Sequence, residues 1–131
     1  MNVLRRLLRD RTASPAVEFA FAAPVLMLFT IGTIQLGVLF AAYAGMASAL
    51  NEGARFATTF PTPNDQQIVA RMNAKRFMVQ TAYMTIPMPV RGTVNNVNYI
   101  ELRMNYSAPL NFVFFSTPAV TLSQTRRAYL S

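Results

Sequence analysis

The stretch FAFAAPVLMLFTIGTIQLGVLFAAYAGMASALN, residues 19–51, decides how this chain folds. None of its 33 positions carries a charged side chain. Its first 25 positions contain only three polar side chains, those of Thr30, Thr33 and Gln35. A helix that crosses the hydrocarbon core of a membrane needs about 20 predominantly apolar residues. The stretch therefore predicts one transmembrane helix.

Two other readings of the same stretch are weaker. A helix buried in a soluble core is disfavoured, because the roughly 80 remaining residues could not surround a helix of this length. A cleaved secretory signal would explain the small residues at Ala42-Tyr43-Ala44 and Ala47-Ser48-Ala49. The apolar part of such a signal is only about 7–15 residues long, however, and this one is much longer.

The charge before the apolar stretch predicts its orientation. The chain has 131 residues and a formal charge of +7, and four of its arginines, Arg5, Arg6, Arg9 and Arg11, precede the stretch. Positive residues stay on the cytoplasmic side, so residues beyond about 45 should lie outside the cell membrane. We predict a single-pass inner-membrane protein with a periplasmic C-terminal head. A nucleic-acid partner is not expected, because no recognition-helix pattern or basic-aromatic stripe is present.

The residue inventory excludes much enzymatic chemistry. The chain has no His and no Cys, so it offers no zinc site of the usual kind, no thiol nucleophile and no Ser-His-Asp triad. Its five carboxylates stand singly in the sequence, at Asp10, Glu18, Glu52, Asp65 and Glu101. We therefore expect no enzymatic activity, no metal and no cofactor.

The residues just before the apolar stretch form a recognisable motif. A basic leader ends at Ala13, Ser14 follows, and Glu18 and Phe19 come at the edge of the stretch. This resembles the processing site of type IV pilins and pseudopilins. The resemblance implies that a prepilin peptidase cuts between Ala13 and Ser14, on the cytoplasmic side of the helix. The sequence departs from that family at Ala13, where Gly is usual, and has Pro15 at the second mature position.

A second motif lies at the other end of the helix, where residues 49–57 read ALNEGARFA. An Ala-Val-Glu-Phe-Ala start paired with a Glu-Gly-Ala-Arg-aromatic-Ala end resembles the TadE-like family. The resemblance covers residues 9–57. It implies a minor pilin or pseudopilin of the tight-adherence (Flp) pilus, whose partners are the peptidase, other pilin subunits and the assembly machinery. The rival interpretation is a signal-anchored periplasmic binding or structural protein unrelated to pili.

Several helix residues are candidates for subunit assembly. After cleavage, Glu18 could pair with the Ser14 ammonium of a neighbouring subunit, because an unpaired carboxylate is costly in a medium of low dielectric constant. The alternative places Glu18 among the lipid headgroups. Ala41, Gly45 and Ala49 form a small-residue ladder that permits close helix packing, unless it reflects only an alanine-rich composition.

The remaining expectations concern domain organisation. We predict an α+β, pilin-like fold with a leader over 1–13, a long helix over 14–59 that Pro24 kinks, and a head over 60–131. At the junction of helix and head, Glu52, Gly53 and Arg55 stand together, and Glu52 and Arg55 are spaced to pair.

The head itself should contain one helix and about three antiparallel strands. The helix is expected to be capped by Thr62 and to reach about Tyr83, with Ile68 and Met72 on its apolar side. Alternating apolar residues predict two strands, one around residues 99–106 and one over residues 119–130. The buried face of the first strand is expected to carry Ile100, Leu102, Met104 and Tyr106. So small a head should lean on the long helix to bury enough apolar surface.

Overall fold

The computed structural model describes residues 14–130, so the predicted leader, with Arg5, Arg6, Arg9, Arg11 and Ala13, lies outside the described residues. Two α-helices, a single 3₁₀ turn and four strands follow one another along the described chain. They are α1 (Ser14–Ala57), α2 (Asp65–Lys75), the 3₁₀ turn (Thr81–Tyr83), β1 (Met84–Thr85), β2 (Val90–Val94), β3 (Val97–Ala108) and β4 (Val120–Leu130). This confirms the predicted α+β class, with a long apolar helix before a small antiparallel sheet.

The chain divides into two compact units, one ending at Ile34 and one beginning at Gln35. The described part of the first unit is helical throughout. Pro24 lies in its interior, and the helix continues on both sides of it. The kink predicted there stays a prediction.

Helix α1 ends at Ala57, two residues before the predicted boundary. The backbone N–H of Thr58 donates to the carbonyl of Arg55, and that of Thr59 donates to the carbonyl of Phe56. The hydroxyls of both threonines donate to the same two carbonyls, at 2.8 and 2.7 Å. These bonds satisfy carbonyl groups that the last helical turn leaves without a partner, so the helix closes here.

The start of α2 corrects the predicted cap. Asn64, not Thr62, is the N-cap: its Oδ1 accepts from the backbone N–H of Gln67 at 2.8 Å. The Gln67 Oε1 accepts in return from the backbone N–H of Asn64 at 2.9 Å. This reciprocal capping box satisfies two backbone donors at once, which a Thr62 cap alone would not do.

Helix α2 is also shorter than predicted, since it ends at Lys75 instead of near Tyr83. Arg76 has an extended backbone, and its Nε donates to the carbonyl of Asn73 at 3.2 Å. An arginine that bonds the last carbonyls is a common way to finish a helix. The chain between Lys75 and β1 is therefore free to form the 3₁₀ turn.

The sheet is organised around β3, which pairs antiparallel with each of the other strands. β4 pairs with β3 along its whole length, from Asn98↔Leu130 to Ala108↔Val120. β2 pairs with the first five residues of β3, and β1 pairs with Asn105 and Tyr106 toward the other end of β3. A two-residue turn, Asn95-Asn96, joins β2 to β3 with positive φ at both residues. Asparagine tolerates this left-handed backbone well, and such turns suit tight hairpins.

The core lies where the second part of α1 meets α2 and the sheet. As predicted, the alternate residues of β3 are buried, and these are Ile100, Leu102, Met104 and Tyr106. They pack with apolar residues of both helices, namely Ala42, Met46, Ala49, Leu50 and Ala57 of α1 and Ile68 and Met72 of α2. The head thus uses α1 as part of its own core.

Candidate functional site: the exposed helix and its junction with the head

The first part of α1 exposes its large apolar side chains. Phe19, Phe21 and Phe29 are between 71 and 76% exposed, and Phe40 is 71% exposed. From residue 42 onward one side of the helix is buried in the head. By length and composition the helix could cross a membrane, and little of its most apolar part is buried. A core helix of a soluble protein would be mostly covered, whereas residues 19–41 of this helix are mostly exposed.

Two of the three polar side chains in this stretch bond to the helix itself. The Thr30 hydroxyl donates to the carbonyl of Leu26 at 2.8 Å, and the Thr33 hydroxyl donates to that of Phe29 at 2.9 Å. In lipid, a polar group without a partner costs several kcal/mol by order of magnitude. These bonds to the preceding turn make both threonines compatible with an apolar surrounding.

The third polar side chain, that of Gln35, forms a hydrogen bond to a distant part of the chain within the same compact unit. The Gln35 Nε2 donates at 2.7 Å to the carbonyl of Asn111, in the connection between β3 and β4. Farther along the helix, the Gln124 Nε2 of β4 donates at 2.8 Å to the carbonyl of Tyr43. The two glutamines tie the β3–β4 hairpin to α1. The sequence pattern did not predict this contact, and its one indication was the single amide side chain of Gln35 within the apolar stretch.

The predicted processing residues occupy the start of α1. Ser14 is its first residue, and Glu18 and Phe19 are exposed. Ala13 lies outside the described residues. Cleavage at this site and pairing of Glu18 between subunits stay predictions.

The small-residue ladder is only partly available to a second subunit. Gly45 and Ala49 are buried, and Ala41 is partly exposed. A methyl group added at Gly45 would overlap the carbonyl oxygen of Phe77. The absence of a side chain at Gly45 therefore makes room for the backbone of the same chain at Phe77. The role in contacts between subunits that was predicted for Gly45 and Ala49 does not fit their burial within one chain. An approaching helix would have to use the exposed residues of α1 instead.

At the junction, Glu52 binds two arginines. The predicted pair with Arg55 forms, with Arg55 Nη2 3.0 Å from Glu52 Oε1 and Arg55 Nε 3.1 Å from Oε2. Arg71 of α2 also donates to Oε1, from Nη2 at 2.6 Å and from Nε at 3.0 Å. The Glu52 side chain is only 19% exposed. The pair with Arg71 links the two helices, and sequence spacing alone could not reveal it.

These contacts change the acidity of Glu52. Hydrogen bonds from Arg55 and then from Arg71 lower its pKa from 4.5 to about 2, against a smaller opposing effect of desolvation. The carboxylate is therefore charged throughout the physiological pH range. One of its partners makes a further contact, since the Arg71 guanidinium lies 5.7 Å from the centre of the Phe56 ring.

Gly53 explains how α1 and α2 come so close. A methyl group at this position would come within 2.5 Å of Cγ of Met72 and 3.1 Å of a methyl carbon of Leu102. Only a residue without a side chain leaves room for Met72 in the core. The Glu-Gly-Ala-Arg motif thus supplies one residue for close packing and two for the ion-pair cluster.

The arrangement is suited to binding and positioning. Over residues 14–130, no three His, Cys, Asp or Glu side chains are grouped so that they could hold a metal ion. In the first unit the apolar helix is exposed, and in the second unit residues 42–57 of α1 are fixed to the head by packing and by a charged cluster. An exposed apolar helix can enter a membrane or pack against other helices.

Comparison with known proteins agrees with this description of the helix. Residues 14–55 match the family model described as TadE-like protein. No curated protein and no solved structure matches the chain. The matched segment contains Ser14, Glu18 and Phe19 of the first motif and residues 49–55 of the second, and the resemblance predicted from those motifs is confirmed. The long helix of this protein is thus similar to TadE-like proteins over residues 14–55.

Proposed function

We propose that this protein is a membrane-anchored minor pilin or pseudopilin that takes part in assembly of a tight-adherence pilus. One observation carries the proposal: the TadE-like match coincides with a helix that is exposed and apolar in its first part. The same helix is built into the head in its second part. A subunit of this kind can be stored in a membrane through one end of the helix while its head stays outside.

The proposed work of the chain is assembly, without catalysis. Before processing, the leader carries four arginines and one aspartate and holds the helix start in the cytoplasm. Drawing several arginines through the membrane would be costly. Removal of residues 1–13 would free the helix to move toward other subunits, and the family match begins at Ser14, the residue after the proposed cut.

Glu18 would set the axial register between helices. It is the fifth residue of the processed chain, one helical turn from the new N-terminal ammonium of Ser14. A neighbour's ammonium and this carboxylate would attract each other strongly in a low-dielectric surrounding. Registers that separate the two charges would be disfavoured by the desolvation of each.

The mature N-terminus tests the proposal. The protein would be purified from membranes of cells with and without the prepilin peptidase, and its intact mass and N-terminal sequence determined. We expect a chain that starts at Ser14, with a formal charge of +4, only when the peptidase is present. Ala13→Gly, which restores the residue usual in the family, should be processed at least as completely.

Other N-termini would point elsewhere. A chain that keeps Met1 in both strains would favour a signal-anchored periplasmic protein. A chain that starts near Gly45 would indicate a cleaved secretory signal. Carbonate extraction and protease treatment of spheroplasts would check the topology, with the head expected in the membrane fraction and open to external protease.

A further inference from the structure

The connection between β3 and β4 carries an exposed apolar cluster. We call residues 110–117 the aromatic loop. Val113, Phe114 and Phe115 in this loop are between 54 and 67% exposed. Adjacent exposed apolar side chains of this size indicate an interaction surface.

The aromatic loop has a defined shape. The backbone N–H of Phe112 donates to the carbonyl of Phe115 at 2.8 Å, and that of Thr117 donates to the carbonyl of Leu110 at 2.9 Å. The rings of Phe112 and Phe115 stack with their centres 4.8 Å apart. The loop is thus a closed turn that presents its apolar side chains together. Its internal hydrogen bonds satisfy several of its backbone N–H and C=O groups.

The loop lies beside Gln35 of α1, within its own compact unit. Its Asn111 carbonyl accepts the hydrogen bond from Gln35. Gln35 belongs to the uncharged stretch of residues 19–51, and Leu36, Val38 and Phe40, which follow it in the same unit, are between 40 and 71% exposed. An apolar layer that surrounds these exposed side chains would therefore reach the level of the loop.

The charged residues of the β3–β4 hairpin lie away from the aromatic loop, as a position in lipid would require. Residues 104–125, which include the whole loop, contain no charged side chain. The charged residues of β3 and β4 stand at the other end of the hairpin, at Glu101, Arg103, Arg126 and Arg127. Gln124, next to that end, contacts Tyr43, eight positions farther along α1 than Gln35. The loop could therefore enter lipid without carrying a charge with it.

We propose that the aromatic loop inserts into the headgroup and acyl-chain boundary of the lipid bilayer, on the side of the membrane where the head lies. The proposal rests on the membrane anchoring proposed above. It gives the head a second contact with the membrane besides α1, so that the head is held against the bilayer surface until the subunit leaves it.

Tryptophan reporters test this directly, because the chain has no natural Trp. Phe114→Trp and Val113→Trp place a single reporter in the loop, where both positions are exposed. Phe29→Trp reports on the exposed part of α1, and Phe60→Trp, at a position 96% exposed beyond the end of α1, serves as the water-exposed control. The full chain would be reconstituted in phosphatidylcholine vesicles with ordinary or brominated acyl chains.

We expect brominated lipid to quench both loop reporters and Phe29→Trp, with blue-shifted emission, and to leave Phe60→Trp unquenched. Quenching of Phe29→Trp alone would overturn loop insertion while leaving the anchor intact, and would leave the loop as a surface for protein contacts. Quenching of none of the reporters would overturn both proposals. Because two independent loop variants are used, a local folding defect in one of them does not decide the result.

Discussion

Arg71 of α2 and Glu52 of α1 form a 2.6 Å ion pair that joins the two helices of the head. Glu52 lies one residue before Gly53, where an added methyl group would come within 2.5 Å of Cγ of Met72 in α2. Packing and charge thus act at the same point of contact. Glu52 also pairs with Arg55, three residues farther along the same helix. The Arg55 side chain is much more exposed than that of Arg71, at 71% compared with 39%.

This difference predicts unequal effects of the two arginines on stability. Arg71→Gln should lower the Tm of the head more than Arg55→Gln does, because only Arg71 links two elements and also lies against Phe56. Thermal unfolding of the full chain in detergent, followed by circular dichroism, measures both. Equal effects would mean that the link between the helices contributes nothing beyond a surface ion pair.

The low pKa of Glu52 predicts acid sensitivity. Its pKa is about 2 in the folded protein and 4.5 when unperturbed. A carboxylate with a lowered folded pKa contributes stability that is complete above the unperturbed value and is lost as pH falls toward the folded value. We expect Tm to fall between about pH 4.5 and pH 2, and the fall should be smaller in Glu52→Gln. Identical pH profiles for the two proteins would contradict this assignment.

Two glycines of α1 provide a matched test of packing. Gly45→Ala forces a methyl group against the carbonyl oxygen of Phe77, whereas a methyl group at Gly37 meets nothing within 4 Å. Overpacking a core costs typically 1–3 kcal/mol, so Gly45→Ala should destabilise the head by about that much or more. Gly37→Ala should be neutral or stabilise the helix by up to about 1 kcal/mol. Denaturant titration in detergent would measure both variants, and a harmless Gly45→Ala would refute the close contact.

Glu18 should matter for assembly and leave folding of the head unaffected. Glu18→Gln keeps the size of the side chain and removes its charge, so the variant should insert and its head should melt at the wild-type temperature. It should fail to crosslink with other pilin subunits in cells. Arg71→Gln is the contrasting control, since it should weaken the head. Normal assembly of Glu18→Gln would return Glu18 to a position among the lipid headgroups.

Much of the secondary structure could be predicted from local pattern. The uncharged run specifies a long helix whatever the rest of the chain does, because its composition already suits an apolar surrounding. Alternation of apolar and polar residues predicted that Ile100, Leu102, Met104 and Tyr106 face inward, and they are buried. The two ends of the helix carried the motifs from which the similarity to the TadE-like family was predicted.

Helix ends were harder to predict, because competing local bonds differ little in energy. Thr62 and Asn64 are both acceptable caps, and the chain uses Asn64 because Gln67 is placed to return the bond. The predicted helix beyond Lys75 gives way to an extended Arg76. Sequence periodicity alone does not choose between such alternatives.

What the sequence alone determined is therefore the long apolar helix, the strand faces and the motifs at the helix ends, since each depends on residues close together in the chain. Only the tertiary structure decided that Gln35 bonds to Asn111, 76 positions away, and that Glu52 binds Arg71. It also decided that the space beside Gly45 is occupied by the backbone of the same chain at Phe77. The physical reason is that these contacts depend on which distant segments the core brings together, and no local period or propensity records that choice.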